Sequence, residues 1–371
     1  MRRASHLPSL VLSILAAVLL GWMILPHGVF GQSQEQQPNS GGPNQGVGET
    51  VLVPKKTGPE PKIESATKKA EKINPNEVFT LSTATNLVNV DVLVLDRNNN
   101  PIGNLGRKHF KVYDEGEPQT ITNFAATEAP MTVCMLIEFS NKYWGFLYLA
   151  LRDSYEFLNF MEPKDWVAVV SFDMNQQILQ DFTQNRYEVR QALDTLRIPG
   201  FSETNLWDAL AFAIDRMKDI QGRKAILAIC TGVDTFSKLN YGEMLKIAKA
   251  SDTVIYPLSI LEFMTVRYGD NISTLQAKNA LTSIAKYSGG QAYFPRFEAE
   301  LPGIYEQISD QLRRQYSLGF VPSNPSNDGK FHKLEVKLVD EQGNPLTITD
   351  EKGKKIKYRV VSRQGYYSPK S

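Results

Sequence analysis

The chain has 371 residues, 42% hydrophobic and 10% aromatic, enough for a large domain with a proper core plus a smaller companion. The formal net charge is +1, so no global field favours nucleic acid, and a nucleic-acid partner is excluded on that ground.

Arg2 and Arg3 precede an apolar run from Leu10 to Leu25, which stops at Pro26. Val29, Phe30 and Gly31 then lead to a plausible cleavage point before Gln32, so residues 1–31 read as an export signal. The run is 16 residues long, short of the ~20 that a membrane span needs. An uncleaved anchor is the alternative, and it is the only membrane contact expected. No cysteine follows the run, so there is no lipoprotein-type site. Residues 32–76 are rich in Gln, Gly, Pro, Lys and Glu and read as a flexible linker. The protein is therefore expected outside the cytoplasm, periplasmic or secreted.

Residues 77–128 read as an N-terminal β unit. Val88 to Leu95 alternates apolar and polar, Arg97 to Pro101 is a turn, and short strands follow at Phe110–Tyr113 and Thr120–Phe124. From 129 to 315 the pattern changes to strands alternating with helices. Met131–Phe139, Trp166–Phe172, Lys224–Cys230 and Thr253–Ile260 are apolar runs of the kind buried on both faces. Helices are expected over Trp144–Phe160, Tyr187–Leu196, Leu206–Lys218, Gly242–Ala250, Thr274–Tyr287 and Leu301–Arg314, with a short strand at Gln291–Phe294. This alternation predicts a doubly wound, mostly parallel sheet flanked by helices, whose ligand edge lies at the carboxyl ends of the strands. Glu138 to Lys142 sit at that edge. Residues 316–371 return to β character, and the basic run Lys352, Lys354, Lys355 and Lys357 reads as a solvated hairpin. This tail is expected to pair with the N-terminal unit into a small antiparallel sandwich, with the α/β body inserted between its halves.

Several stretches together carry a resemblance. They are VNVDVLVLD and HFKVYDEGEPQTITNF near the start, Thr204–Leu210, Thr231–Asp234, Ser288–Gly290, Tyr316–Phe320 and Arg363–Tyr366. On these residues the α/β portion resembles a von Willebrand factor type A domain. The chain from about 78 to 368 resembles the exported bacterial subfamily described as VWFA-related.

The resemblance implies a divalent cation on top of the sheet, held by an Asp-x-Ser-x-Ser motif, a Thr and a second Asp. Hard oxygen ligands of this kind suit Mg²⁺. This sequence keeps Ser140 and Thr204 but has Glu138 for the first Asp, Lys142 for the second Ser and Thr231 for the second Asp. Asp234 lies too far along its loop to replace the missing carboxylate. With one carboxylate left, an ammonium is the cheaper neutraliser, so Lys142 is expected to pair with Glu138 and no cofactor is expected. The alternative is a weak Mg²⁺ site at Glu138, Ser140 and Thr204. Ser140, Thr204 and Thr231 also fit as helix caps and turn closers.

The resemblance also makes the first and fourth strands neighbours, with Cys134 and Cys230 offset by ~10 Å along them. Disulfide Cα atoms must lie within ~7 Å, so both cysteines are expected as buried free thiols. Tyr143, Trp144 and Phe146 follow the degenerate motif and, with Asp234, are candidate partner contacts; Trp and Tyr are good interface anchors. Catalytic constellations are lacking: His6, His27, His109 and His332 are scattered, and no nucleophile elbow, phosphate loop or zinc motif occurs. Asp165, Asp173 and Asp181 read as solvated strand flanks. The expected function is a non-enzymatic protein-interaction or adhesion module, binding a protein or extracellular-matrix ligand. The alternative is a structural subunit of a cell-envelope assembly.

Overall fold

The computed structural model describes residues 87–126, 130–220, 222–269, 272–325, 328–350 and 352–369. The export signal over 1–31, the linker over 32–76 and the first ten residues of the N-terminal β unit lie outside the described residues.

Four strands precede the body: β1 Val88–Leu95, β2 Phe110–Asp114, β3 Glu117–Gln119 and β4 Ile121–Ala125. The body then runs β5 Met131–Glu138, α1 Trp144–Asn159, β6 Trp166–Phe172, β7 Gln176–Thr183, α2 Arg186–Asp194, α3 Leu206–Met217 and β8 Arg223–Cys230. It continues with α4 Tyr241–Ala250, β9 Val254–Ser259, α5 Leu261–Tyr268, α6 Ile272–Ser288 and α7 Leu301–Arg313. Six strands close the described chain: β10 Tyr316–Phe320, β11 Phe331–Leu338, β12 Ile348–Thr349, β13 Lys355–Ile356, β14 Arg359–Ser362 and β15 Gly365–Tyr367.

The body's sheet has the order β7-β6-β5-β8-β9, with β6, β5, β8 and β9 parallel and β7 antiparallel at the edge. A parallel bridge from Leu258 to Tyr293 adds a sixth position beside β9. Counted along the body this is order 3-2-1-4-5-6, the doubly wound arrangement. Every residue of β5 is buried. Alternation along the strand divides them between two cores. Val133, Met135 and Ile137 pack towards α1 and α7 with Leu147, Phe157, Tyr305 and Ile308. Cys134 and Leu136 pack towards α3, α4 and α6 with Leu210, Met244, Leu281 and Ile284.

The terminal strands interleave. One sheet has the order β14-β1-β10-β4 and the other β15-β11-β2-β3, so each contains strands from before and after the body. Val90, Val92, Phe110, Val112, Leu318, Phe320, Leu334 and Tyr366 form the core between the sheets. Neither half alone could bury that surface. The β12–β13 hairpin carries the basic run, and Lys352, Lys354, Lys355 and Lys357 are all exposed, as expected.

Strands β3 and β15 were not expected, the expected strand Gln291–Phe294 is a single bridge at Tyr293, and three further points differ from the sequence reading. Strand β7 is an addition, since its polar sequence QQILQDFT is half exposed and lacks the apolar run that marks its neighbours. Helix α5 is also an addition, following β9 after a single intervening residue. Asp165 is not a solvated flank but fully buried at the amino end of the sheet. It accepts hydrogen bonds from the backbone N–H of Met131 (3.0 Å) and Glu162 (2.6 Å) and pairs with Arg313 at 2.6 Å.

Candidate functional site

The carboxyl ends of β5 and β8 bring the loops 139–143 and 231–240 to one edge, and the segment 199–205 joins them ahead of α3. The Asn141 N–H donates to the Phe201 carbonyl at 2.6 Å, tying the first loop to the segment before α3. The N–H groups of Thr235 and Phe236 donate to the Thr204 carbonyl at 2.9 and 2.8 Å, tying that segment to the third loop.

Glu138, the last residue of β5, is at the centre and is fully buried. Ser140 Oγ bonds its Oε1 at 2.7 Å. Its Oε2 accepts two hydrogen bonds from Thr231, one from the backbone N–H at 2.7 Å and one from the hydroxyl at 2.8 Å. The extra methylene of Glu over Asp lets the carboxylate reach the Thr231 amide. Glu138 thus links the first loop to the third without leaving the protein interior. Burial pushes its carboxyl pKa up, against the downward pull of those three hydrogen bonds.

The expected Lys142–Glu138 ion pair is not formed. Lys142 is exposed, and its Nζ stands over the Tyr143 ring, 5.4 Å from the centroid. The cause is desolvation: bringing an ammonium to a fully buried carboxylate costs several kcal/mol. Neutral donors from Ser140 and Thr231 satisfy the same oxygens.

Thr204 is buried close by, but its hydroxyl donates to the Val233 carbonyl at 2.5 Å, and its N–H donates to Thr235 Oγ1 at 2.9 Å. Gly232 makes this return possible. Its φ is +82°, and a Cβ there would come 2.7 Å from Leu281 Cδ1. Asp234 turns to the start of α3, where its Oδ1 accepts from the Trp207 N–H at 3.3 Å and from Ser237 Oγ at 2.5 Å. Ser237 Oγ also accepts from the Trp207 N–H at 3.0 Å, so the two residues cap α3 together. Asp234 is half-buried, and burial raises its carboxyl pKa.

This donor set does not fit a divalent cation. Both Glu138 oxygens and the hydroxyls of Ser140, Thr204 and Thr231 are engaged with one another or with backbone. No group of three or more His, Cys, Asp or Glu side chains converges among the described residues. Cys134 and Cys230 are buried free thiols, as expected. Cys134 lies opposite Ile226 in the β5–β8 register, which puts Cys230 four positions further on, about 13 Å along the strand. Burial pushes the Cys134 thiol up to about 12 and the Cys230 thiol up as well.

Aromatic side chains surround the edge. Trp144 stacks edge-on against Phe139 with centroids 5.0 Å apart and meets Tyr148 at 5.9 Å. Tyr143, Trp144 and Phe146 are half-buried and pack on the core below. Tyr148, Phe201 and Phe236 are more open, 48%, 50% and 50% exposed. The sequence reading did not single out these last three. The available signal was an unpaired Phe in each of two otherwise polar loops, Gly200-Phe201-Ser202 and Thr235-Phe236-Ser237.

No family model matches the chain, and no curated protein matches it. Solved structures are similar to it. The PilB minor pilin of Streptococcus sanguinis matches at 10% identity and a TM-score of 0.39, over 51% of this chain and 63% of the pilin. The chain thus spans less than two thirds of that protein's length. The vWF domain of the type V pili tip protein Mfa5 of Porphyromonas gingivalis matches at 14% identity and a TM-score of 0.38, over 50% of this chain and 95% of that domain. The conserved hypothetical protein BatB of Bacteroides thetaiotaomicron matches at 16% identity and 0.37, over 49% and 98%. The fold assignment rests on the strand order rather than on these likenesses. The 3-2-1-4-5-6 sheet, with Glu138, Ser140, Thr204 and Thr231 gathered at its carboxyl edge, is the doubly wound arrangement that the resemblance to a von Willebrand factor type A domain implies.

Proposed function

We propose that this is an exported, non-enzymatic interaction module, binding a protein or extracellular-matrix ligand through the loop edge of its α/β body without a cation. The observation that carries the reading is the state of Glu138. Its two oxygens are bonded within the protein by Ser140 and Thr231, leaving neither free to hold a metal at that edge. Affinity then comes from contact. Tyr143, Trp144 and Phe146, with Tyr148, Phe201 and Phe236, supply aromatic surface, the residue class that dominates binding energy at interfaces. Lys142 adds a rim charge that steers encounter more than it adds affinity. Asp234 works beneath this surface, as the cap of α3. Export rests on Arg2, Arg3 and the apolar run from Leu10 to Leu25.

The test is capture of partners from an envelope and matrix extract by the immobilised protein, in EDTA and in Mg²⁺. The expected outcome is a partner retained equally in both and lost with Trp144→Ala or Phe201→Ala. Capture that requires Mg²⁺ would overturn the cation-free reading. Capture indifferent to both aromatic variants would move the contact to the sandwich, as expected of a structural envelope subunit.

A further inference from the structure

The closing stretch Arg363–Gln364–Gly365–Tyr366 takes no part in the loop edge. Three of its residues have structural duties. The Gln364 carbonyl accepts from the Leu334 N–H at 2.9 Å. A Cβ on Gly365 would come 2.2 Å from the His332 carbonyl oxygen, so only glycine fits there. The Tyr366 hydroxyl donates to Asp114 Oδ2 at 2.8 Å within the sandwich.

Arg363 is different. It lines a cleft of about 290 Å³ whose walls include Leu87, Pro322, Pro325, Tyr367 and Pro369. Its Nε is closed off from solvent and has no hydrogen-bond acceptor. Among the described residues its guanidinium makes no hydrogen bond and no ion pair; it stands over the Tyr366 ring, 5.9 Å from the centroid. A buried donor without an acceptor carries a desolvation cost, larger for a charged group.

The nearby carboxylates are engaged by other groups. Asp252 also lines the cleft, but its Oδ1 is held by Lys224 Nζ at 2.8 Å. Asp91 is half-buried among the same charges and accepts a hydrogen bond from Ser317 Oγ at 2.6 Å. Burial pushes the Asp91 carboxyl towards its neutral form. Arg223 donates to the carbonyls of Arg313 and Gln315. Lys224 and Ser317 thus each engage one of the two carboxylates, and neither carboxylate is hydrogen-bonded to Arg363. Arg363 is the cation that lines the cleft.

We propose that the Arg363 cleft is a second binding site, which takes an oxyanion, carboxylate or phosphate, with a small apolar group resting on the tyrosine and proline walls. A guanidinium is a planar fork that fits both oxyanions through paired hydrogen bonds, whereas a lysine offers a point charge. The cleft has room for one such head and a few carbons. The site shares no residue with the loop edge, so it stands or falls independently of the contact role assigned there.

The test titrates the full chain, labelled with ¹⁵N, with inorganic phosphate, with sodium acetate and with sodium chloride at matched ionic strength. The readouts are the Arg363 Nε–H resonance and the melting temperature. Saturable movement of that resonance with phosphate or acetate, and not with chloride, supports the site. Response to phosphate alone marks a phosphate-bearing ligand, and response to acetate alone a carboxylate-bearing one. Arg363→Lys, which keeps the charge and removes the fork, is expected to weaken binding about tenfold or more. Equal movement with all three salts would overturn the proposal, and so would no saturable movement with any of them. An Arg363→Lys variant that binds as tightly as the parent would overturn it too. The resonance of the unmutated protein keeps the test decisive even where a variant folds poorly.

Discussion

The two ends of the central sheet each bury a carboxylate completely, and they treat it in opposite ways. At the amino end, Asp165 faces a cation: Arg313 reaches it at 2.6 Å, and two backbone N–H groups complete its shell. At the carboxyl end, Glu138 faces only neutral donors, from Ser140 and Thr231. The amino end is a brace, tying β5, the turn before β6 and the end of α7 together through one charge pair. The carboxyl end is a strut, tying two loops through a carboxyl group whose ionised form burial disfavours. In this body the edge where a fold of this type places its ligand is the edge without a compensating charge. Residual electrostatic tension is thus present at the candidate site.

The largest effect is expected at the brace. Arg313→Met removes the cation and leaves Asp165 buried and uncompensated, a loss of about 3–5 kcal/mol. Urea unfolding monitored by circular dichroism measures it. A loss below about 1 kcal/mol, the value typical of exposed pairs, would erase the distinction between the two ends. At the strut, Glu138→Ala leaves the Thr231 N–H without its acceptor in the buried loop, and about 1–3 kcal/mol is expected to go.

The pH dependence sharpens the contrast. The Glu138 carboxyl has a higher pKa in the folded protein than in the unfolded chain. Its contribution is therefore fully present below the unfolded value, about 4.3, and is lost as the pH rises through the folded value. Glu138→Gln keeps the shape of the protonated acid and cannot ionise. Its melting temperature relative to the parent is expected to rise as the pH goes from about 4 to about 8, by about 2–4 °C for each kcal/mol recovered. Parallel melting curves across that range would show that ionisation of Glu138 carries no cost.

Much of this architecture is legible in the sequence. The runs MTVCMLIE, WVAVVSF and KAILAIC announce buried parallel strands because both faces of each are apolar. The interleaved sandwich was legible from alternation in VNVDVLVL and HKLEVKL. Strand β7 was not, since an edge strand half open to water needs no apolar run. Helix α5 was not, since its sequence LEFMTVRY follows the β9 strand with no turn residue to separate them. At the candidate site, the residue set was legible and the bonding was not. Which of Lys142 and Thr231 satisfies Glu138 depends on where the third loop places an amide N–H, and no residue pattern encodes that position. Asp165 was misread for a similar reason. A lone Asp before a strand is ordinarily solvated, and its partner Arg313 lies 148 residues away.

The smallest effect separates two explanations of the strut. If Lys142 were what keeps a cation from the loop edge, Lys142→Ser would restore the hydroxyl of the motif and open the site. Magnesium at about 100 times its Kd would then add about 2.7 kcal/mol to the stability of that variant. If the geometry of Glu138 is the cause, the substitution removes only an exposed side chain beside Tyr143. The change is then within about 0.5 kcal/mol, and Mg²⁺ and EDTA give the same melting temperature. The second outcome is expected, because Ser140 and Thr231 still hold both carboxylate oxygens and Thr204 still donates to Val233. A magnesium-dependent rise in the melting temperature of Lys142→Ser would make the strut a consequence of the lysine.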